Sequence, residues 1–256
     1  MYGSDNMDDY YASEADSYFD MEREERYQMA IKIQKASEMK KSDRFKAMIY
    51  AEPGAGKTTT LKYLEGKTLV LDIDGTSRVL AGIENIDVVE IDPTNVAKEM
   101  IEFYGYAKAH IDEYDNIVLD NLSHYQKLWF MEKGKHTKSG QPELQHYGVF
   151  DTHLIELIST FNALNTNVVY TAWETTRQIQ LESGQLYNQF LPDIREKVVN
   201  HIMGIIPLVA RLVRNPETKQ RGFILQKSNG TFAKNQLDHR EGCLQENIFK
   251  IGSDDD

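Results

Sequence analysis

A glycine-rich segment ahead of a predicted helix carries the clearest chemical signal in the sequence. Residues 51–58 read Ala-Glu-Pro-Gly-Ala-Gly-Lys-Thr, which matches the pattern G-x-x-x-x-G-K-S/T except that Ala51 replaces the first glycine. In this pattern backbone N–H groups surround a triphosphate, the lysine contacts its β and γ phosphates, and the threonine hydroxyl binds Mg²⁺. The segment therefore predicts a site for ATP and Mg²⁺. Its predicted binding residues are Glu52, Pro53, Gly54, Ala55, Gly56, Lys57, Thr58 and Thr59.

Aspartates near the ends of two predicted strands could complete such a site. Asp120 follows the apolar residues 117–119, and a carboxylate in that position can orient Mg²⁺ through water. Hydrolysis also needs a group that positions the attacking water. Asp74, after the second predicted strand, is the candidate for this role, and Asp72 is the alternative.

Apolar strands that alternate with helices must hold these residues in place. The predicted strands cover residues 45–50, 68–73, 87–91, 116–119 and 167–172, and the predicted helices cover 58–64, 96–113 and 151–164. This alternation predicts an α/β fold with a mostly parallel sheet and helices on both faces. Residues 208–213 and 222–227 predict a C-terminal β-hairpin.

Charge and composition predict how the chain is organised around that sheet. The net charge is −11, but residues 1–25 hold nine acidic residues and one arginine, and the chain ends in three aspartates. The residues between are balanced, so net charge does not exclude a nucleic-acid partner. The predicted organisation is a disordered acidic arm at 1–19, a helix at 20–41, one ATPase domain at 42–250 and an acidic tail at 251–256.

The compartment follows from what the sequence lacks. Cys243 is the single cysteine, so it cannot form an internal disulfide, which favours a reducing cytoplasm. The sequence has no run of 18 apolar residues and no signal region, so we expect no membrane partner.

The order of five segments resembles the RecA-type ATPase core. It is similar, more narrowly, to small core-only phage P-loop ATPases known as phage nucleotide-binding proteins, some of which act in single-strand annealing and recombination. The resemblance spans about residues 42–240. A phage origin would place the chain in the cytoplasm of a bacterial host. The segments that carry it are 51–58, 71–75, 117–123, 168–174 and 231–236.

The resemblance implies roles for individual residues. Asp74 stands where RecA-like proteins have a catalytic carboxylate, usually glutamate, and Asp120 matches their second nucleotide motif. Glu174 ends the strand that carries a γ-phosphate sensor, usually glutamine. Lys234, in the stretch 233–236, resembles a cation that such proteins insert into the nucleotide site of the adjacent subunit of a ring or filament, and Arg240 is an alternative source of that charge.

The resemblance also implies that two loops face single-stranded DNA, here residues 127–147 and 175–199. Basic and aromatic side chains suit that ligand, because cations bind its backbone and aromatic rings stack on its bases. The candidates are Lys127, Trp129, Phe130, Lys133, Lys135, Lys138, Arg177, Arg195 and Lys197.

Other functions compete with a DNA-dependent ATPase that assembles into oligomers. An ATP-switched adaptor such as a helicase loader would contact proteins instead of DNA. A small-molecule kinase is disfavoured, because no arginine-rich lid is recognisable. Further partners of the first function would be a single-strand-binding protein or another recombination or replication protein.

Overall fold

The computed structural model describes residues 35–38 and 44–252. The chain divides into two units, 1–43 and 44–256. In the first unit the described residues form one 3-10 turn, Ala36–Glu38. The predicted acidic arm, the rest of the predicted helix 20–41 and residues 253–256 of the tail lie outside the described residues.

A ten-stranded sheet forms the framework of the second unit. Six strands lie parallel in the order β3-β2-β4-β5-β1-β7, and β8 and β10 extend the sheet antiparallel beyond β7. β6 pairs with the second half of β5, and β9 pairs with β7. The strands are β1 Lys46–Ala51, β2 Thr68–Asp72, β3 Ile86–Glu90, β4 Asn116–Asp120, β5 Asn167–Gln180, β6 Leu186–Pro192, β7 Leu208–Arg214, β8 Arg221–Ile224, β9 Lys234–Asn235 and β10 Gly242–Leu244.

Helices and short turns cover both faces of this sheet. The helices are α1 Lys57–Thr60, α2 Val96–Ala109, α3 Leu122–Lys135, α4 Leu144–Asn162 and α5 Glu196–Ile205. A 3-10 turn, Leu61–Tyr63, continues α1.

Side chains that alternate along β1 divide the core in two. Met48 and Tyr50 pack with α2 to α5 on one face, while Ala47 and Ile49 pack with the segment around α1 on the other. Successive strand residues point to opposite faces, so a strand covered on both sides is apolar throughout. The predicted α/β fold with its mostly parallel sheet and C-terminal hairpin is confirmed.

The two predicted loops have regular structure instead. Residues 127–147 belong mostly to α3 and α4, with only 136–143 connecting them. Trp129 is 3% exposed and packs with Phe130 and Phe150. The prediction that Trp129 and Phe130 lie on a loop is therefore wrong. One face of α3 packs in the core, because its buried apolar residues recur at helical spacing. These residues are Leu122, Tyr125, Leu128 and Trp129.

The prediction of a loop at 175–199 is also wrong. β5 continues to Gln180, turns, and returns as β6 to form a hairpin before α5 begins at Glu196. Side chains in residues 175–180 are alternately less and more exposed, which is the period of a strand. No helix among the described residues is both long enough and apolar enough to cross a membrane.

Candidate functional site

The loop between β1 and α1 has the conformation that its glycines allow. Gly54 has φ +77° and Gly56 has φ +110°, values that favour glycine because it lacks a Cβ atom. Lys57 is 6% exposed, and its Nζ donates to the carbonyl oxygens of Ala51 and Glu52 at 3.1 Å each. The ammonium group therefore lies over the loop that precedes it.

The electrostatics of Lys57 combine burial with nearby acids. Burial lowers the pKa of Lys57, and the carboxylates of Asp120, Asp74 and Glu174 act in the opposite direction. An anionic ligand at the loop would oppose the effect of burial in the same way, because an opposite charge favours the ammonium form.

Thr58 and Asp120 meet at the end of the central strands. The Thr58 hydroxyl donates to Asp120 Oδ2 at 2.7 Å, and the Thr171 hydroxyl donates to Oδ1. Asp120 is 1% exposed, and burial raises its pKa to about 6, with hydrogen bonds from Thr171 and Thr58 opposing the shift and Asp74 adding to it.

These two side chains fit a magnesium site. Mg²⁺ binds hard oxygen ligands, and in nucleotide sites it uses one or two protein oxygens with phosphate and water. The described residues contain no cluster of three or more His, Cys, Asp or Glu side chains suited to a metal ion, so the candidate ligands are Thr58 and Asp120.

The geometry separates the two carboxylates proposed for positioning water. Asp72 is buried, and its two oxygens accept the backbone N–H groups of Thr76 at 3.1 Å and Ser77 at 3.0 Å. Asp74 lines the cavity beside the loop and accepts hydrogen bonds from the Thr76 hydroxyl at 2.6 Å and from Asn121 Nδ2. Asp72 therefore holds a turn, whereas Asp74 faces the candidate site.

This cavity, of about 430 Å³, brings together Lys57, Thr58, Asp74 and Asp120. Four further residues that line it were not predicted from the sequence: Thr76, Val79, His124 and Trp173. Thr76, His124 and Trp173 lie within four residues of Asp74, Asp120 or the end of the predicted strand 167–172, and this proximity was the signal available in the sequence. The peptide bond between Asp120 and Asn121 is cis.

Glu174 lies on a neighbouring cavity of about 390 Å³, which is lined by the other side of the loop. Its side chain is 5% exposed and forms a bidentate ion pair with Arg211, at 2.6 Å to Nε and 3.1 Å to Nη2. The structure does not bring Glu174 into the cavity of Lys57 and Asp120. The predicted sensor role needs a free polar group, whereas the Glu174 carboxylate is paired with Arg211.

Lys234 lies away from the loop of its own chain. It pairs with Val209 near the start of β7, whereas the end of β7 lines the neighbouring cavity that contains Glu174. Lys234 Nζ donates to the Gly204 carbonyl at 2.8 Å, and burial lowers its pKa.

The basic residues predicted to bind DNA divide into two groups. Three of these cations have partners within the domain. Arg177 binds Gln189 and Asn200, Arg195 binds Asp151, and Lys133 binds Glu132. The exposed ones are Lys127, Lys135, Lys138 and Lys197, of which Lys127 covers the Trp173 ring at 4.3 Å.

The parallel sheet, the glycine loop with Lys57 and the Thr58–Asp120 contact define the class of P-loop ATPases with a RecA-like architecture. The chain belongs to the AAA_24 family of AAA domains, which matches residues 43–237. No curated protein matches the sequence. Among solved structures, the KaiC-like protein PH0186 from the archaeon Pyrococcus horikoshii OT3 is similar at 13% identity and a TM-score of 0.40, over 72% of this chain and 79% of that chain.

Proposed function

We propose that the chain binds ATP with Mg²⁺ and hydrolyses the terminal phosphoanhydride. The observation that carries this proposal is the Thr58–Asp120 hydrogen bond of 2.7 Å in the cavity of Lys57. Lys57 exchanges its carbonyl partners for the β and γ phosphate oxygens, and backbone N–H groups of the loop bind the β phosphate. Thr58 and Asp120 would hold Mg²⁺, which would supply positive charge to the phosphates.

Asp74 then positions the attacking water. Its carboxylate faces the cavity, and its partners Thr76 and Asn121 fix its orientation. A water held by Asp74 would be aligned with the phosphorus while the negative charge that develops on the phosphoryl oxygens is stabilised by Lys57.

Intrinsic fluorescence and phosphate release test this proposal together. The chain has two tryptophans, of which Trp129 is buried in the core and Trp173 lines the cavity. Mg²⁺-ATP should change the emission of Trp173, and Trp173→Phe should remove that change. Wild-type protein that neither responds to Mg²⁺-ATP nor releases phosphate would refute the proposal.

We propose further that the ATPase binds single-stranded DNA. Support comes from α3, which begins two residues after Asp120 and ends at exposed Lys135, with exposed Lys138 beyond it. Lys135→Ala with Lys138→Ala should weaken binding of single strands and flatten its salt dependence, because each phosphate contact releases counterions. The matched control is the double substitution of exposed Lys98 and Lys108 in α2. If both double variants bind single-stranded DNA with equal affinity, the end of α3 is not part of the DNA-binding site.

Assembly into a ring or filament is proposed through Lys234, which lies away from its own phosphate loop. A lysine that reaches a neighbour's γ phosphate would make hydrolysis depend on assembly. Mixing Lys234→Ala protein with Lys57→Ala protein should then restore turnover that neither has alone. Normal turnover by Lys234→Ala protein alone would exclude the role.

An ATP-switched protein adaptor is the second candidate. The burial of Trp129 and the packing of Phe130 favour it, because these rings are not available to stack on bases. Single-stranded DNA should accelerate ATP turnover by a DNA-dependent ATPase and should leave an adaptor unaffected.

A further inference from the structure

Two buried side-chain nitrogen atoms have no hydrogen-bond partner in the part of the chain that the structure describes, His124 Nδ1 and Arg221 Nε. Both belong to residues that line cavities on either side of the phosphate-binding loop. Buried polar atoms are satisfied in the great majority of cases, so an orphan atom beside a ligand cavity suggests that a ligand atom is its partner. His124 shares its cavity with Lys57, Thr58 and Asp120.

The position of His124 is well defined by its neighbours. Its backbone N–H donates to Asn121 Oδ1 at 2.7 Å, and Asn121 Nδ2 donates to Asp74. The imidazole centroid lies 5.7 Å from that of Trp173, and the Lys127 ammonium lies 4.3 Å from the Trp173 ring. His124 and Asp74 are therefore anchored to the same asparagine.

A hydrogen-bond donor for the terminal phosphate has to come from another residue, because Glu174 in β5 does not supply one. Glu174 is held by Arg211, and a carboxylate would in any case repel a phosphate. We propose that His124 Nδ1–H donates a hydrogen bond to a γ-phosphate oxygen of bound ATP and thereby distinguishes ATP from ADP. This inference rests on the proposed ATP site. It adds a residue that contacts the nucleotide and that senses its hydrolysis.

The test uses two amides that place nitrogen at different distances from Cβ. Asparagine carries its side-chain nitrogen two bonds from Cβ, as histidine carries Nδ1, whereas glutamine carries it three bonds away, as histidine carries Nε2. His124→Asn should keep the wild-type ratio of ADP to ATP dissociation constants. His124→Gln and His124→Ala should reduce that ratio by about tenfold or more, through weaker ATP binding with ADP binding unchanged. Exposed His201→Asn is the matched control.

Titrations of Trp173 emission with Mg²⁺-ATP and Mg²⁺-ADP measure these constants, and melting temperatures report whether each variant is folded. If wild-type protein does not bind Mg²⁺-ATP, the proposed function itself fails. If wild-type protein binds ATP and the ratio is the same in all variants, only the role of His124 fails. If the ratio of ADP to ATP dissociation constants falls as much in His124→Asn as in His124→Ala, the proposed Nδ1 contact is also wrong.

Nitrogen NMR of the wild-type protein tests the contact without a substitution. The Nδ1 resonance of His124 should shift on binding a non-hydrolysable ATP analogue with Mg²⁺, and much less on binding ADP. The same shift with both nucleotides would contradict a contact to the γ phosphate, whatever the variants do.

Discussion

Replacing Gly56 with alanine perturbs the phosphate-binding loop at the residue that precedes α1. Gly56 has φ +110° and ψ 26°, in the left-handed region. For a residue with a Cβ atom this conformation costs about 1–2 kcal/mol. The added Cβ would also lie 3.3 Å from Arg221 Cζ, a contact that is relieved if the arginine side chain moves by a few tenths of an ångström.

The expected loss of stability is therefore about 1–2 kcal/mol, set mainly by the backbone. For a domain of this size each kcal/mol lowers Tm by about 2–4 °C, so Gly56→Ala should melt about 2–8 °C below wild type. ATP affinity should fall as well, because any backbone change that relieves the strain turns N–H groups away from the phosphates.

Gly184→Ala is the matched control for strain alone. Gly184 has φ +83° in the turn between β5 and β6, and an added Cβ there would meet no atom within 4 Å. Its Tm should fall by a similar amount, measured by calorimetry, while ATP affinity stays at the wild-type value. A Gly56→Ala protein with wild-type Tm and wild-type ATP affinity would refute the reasoning.

Three further substitutions probe charged groups in the site and in the neighbouring cavity. Lys57→Ala should lower phosphate release by at least about 100-fold, because it removes the charge that stabilises the transferring phosphoryl group; wild-type turnover would exclude the site. Burial raises the pKa of Asp120 from its ordinary 3.8 to about 6, so its ionisation opposes folding increasingly between these two pH values and fully above pH 6. Asp120→Asn should therefore raise the free energy of unfolding of the nucleotide-free protein by up to about 3 kcal/mol at pH 8, and this gain should disappear near pH 4. The same variant should lose Mg²⁺-dependent turnover. Arg211→Ala should cost about 3–5 kcal/mol in denaturant unfolding, because it leaves Glu174 buried without its cation; a cost below about 1 kcal/mol would contradict the pairing.

The phosphate-binding loop and the sheet could be predicted from the sequence because their determinants are local. Eight consecutive residues specify the loop, and two glycines within it take the positive φ angles that other residues avoid. Apolar runs of strand length, separated by helical segments, likewise indicate a buried parallel sheet without knowledge of its neighbours. The carboxyl ends of parallel strands share one edge, so Asp120 could be placed near the loop in advance.

Composition led to a wrong prediction at residues 127–138, because their residue types suit both a loop and a helix. Lysines and aromatic residues at 127–138 are typical of a nucleic-acid loop, but they are equally typical of an amphipathic helix with basic residues on its exposed face. Trp129 is in the core because α4 packs against α3 and supplies Phe150. That contact joins residues far apart in the chain, and no local pattern reports it.

Tertiary structure alone decided which polar groups face the candidate site. Asp72 and Asp74 are two residues apart and chemically identical, yet one caps a turn and the other lines the cavity. Glu174 and Arg211 are 37 residues apart, and they meet because β5 and β7 lie on either side of β1. The sequence by itself determined the local backbone of the phosphate loop and the class of fold, since neighbouring residues decide both. The partner of each side chain depended on long-range packing, because hydrogen bonds and ion pairs form between whatever groups the folded sheet brings within about 3 Å.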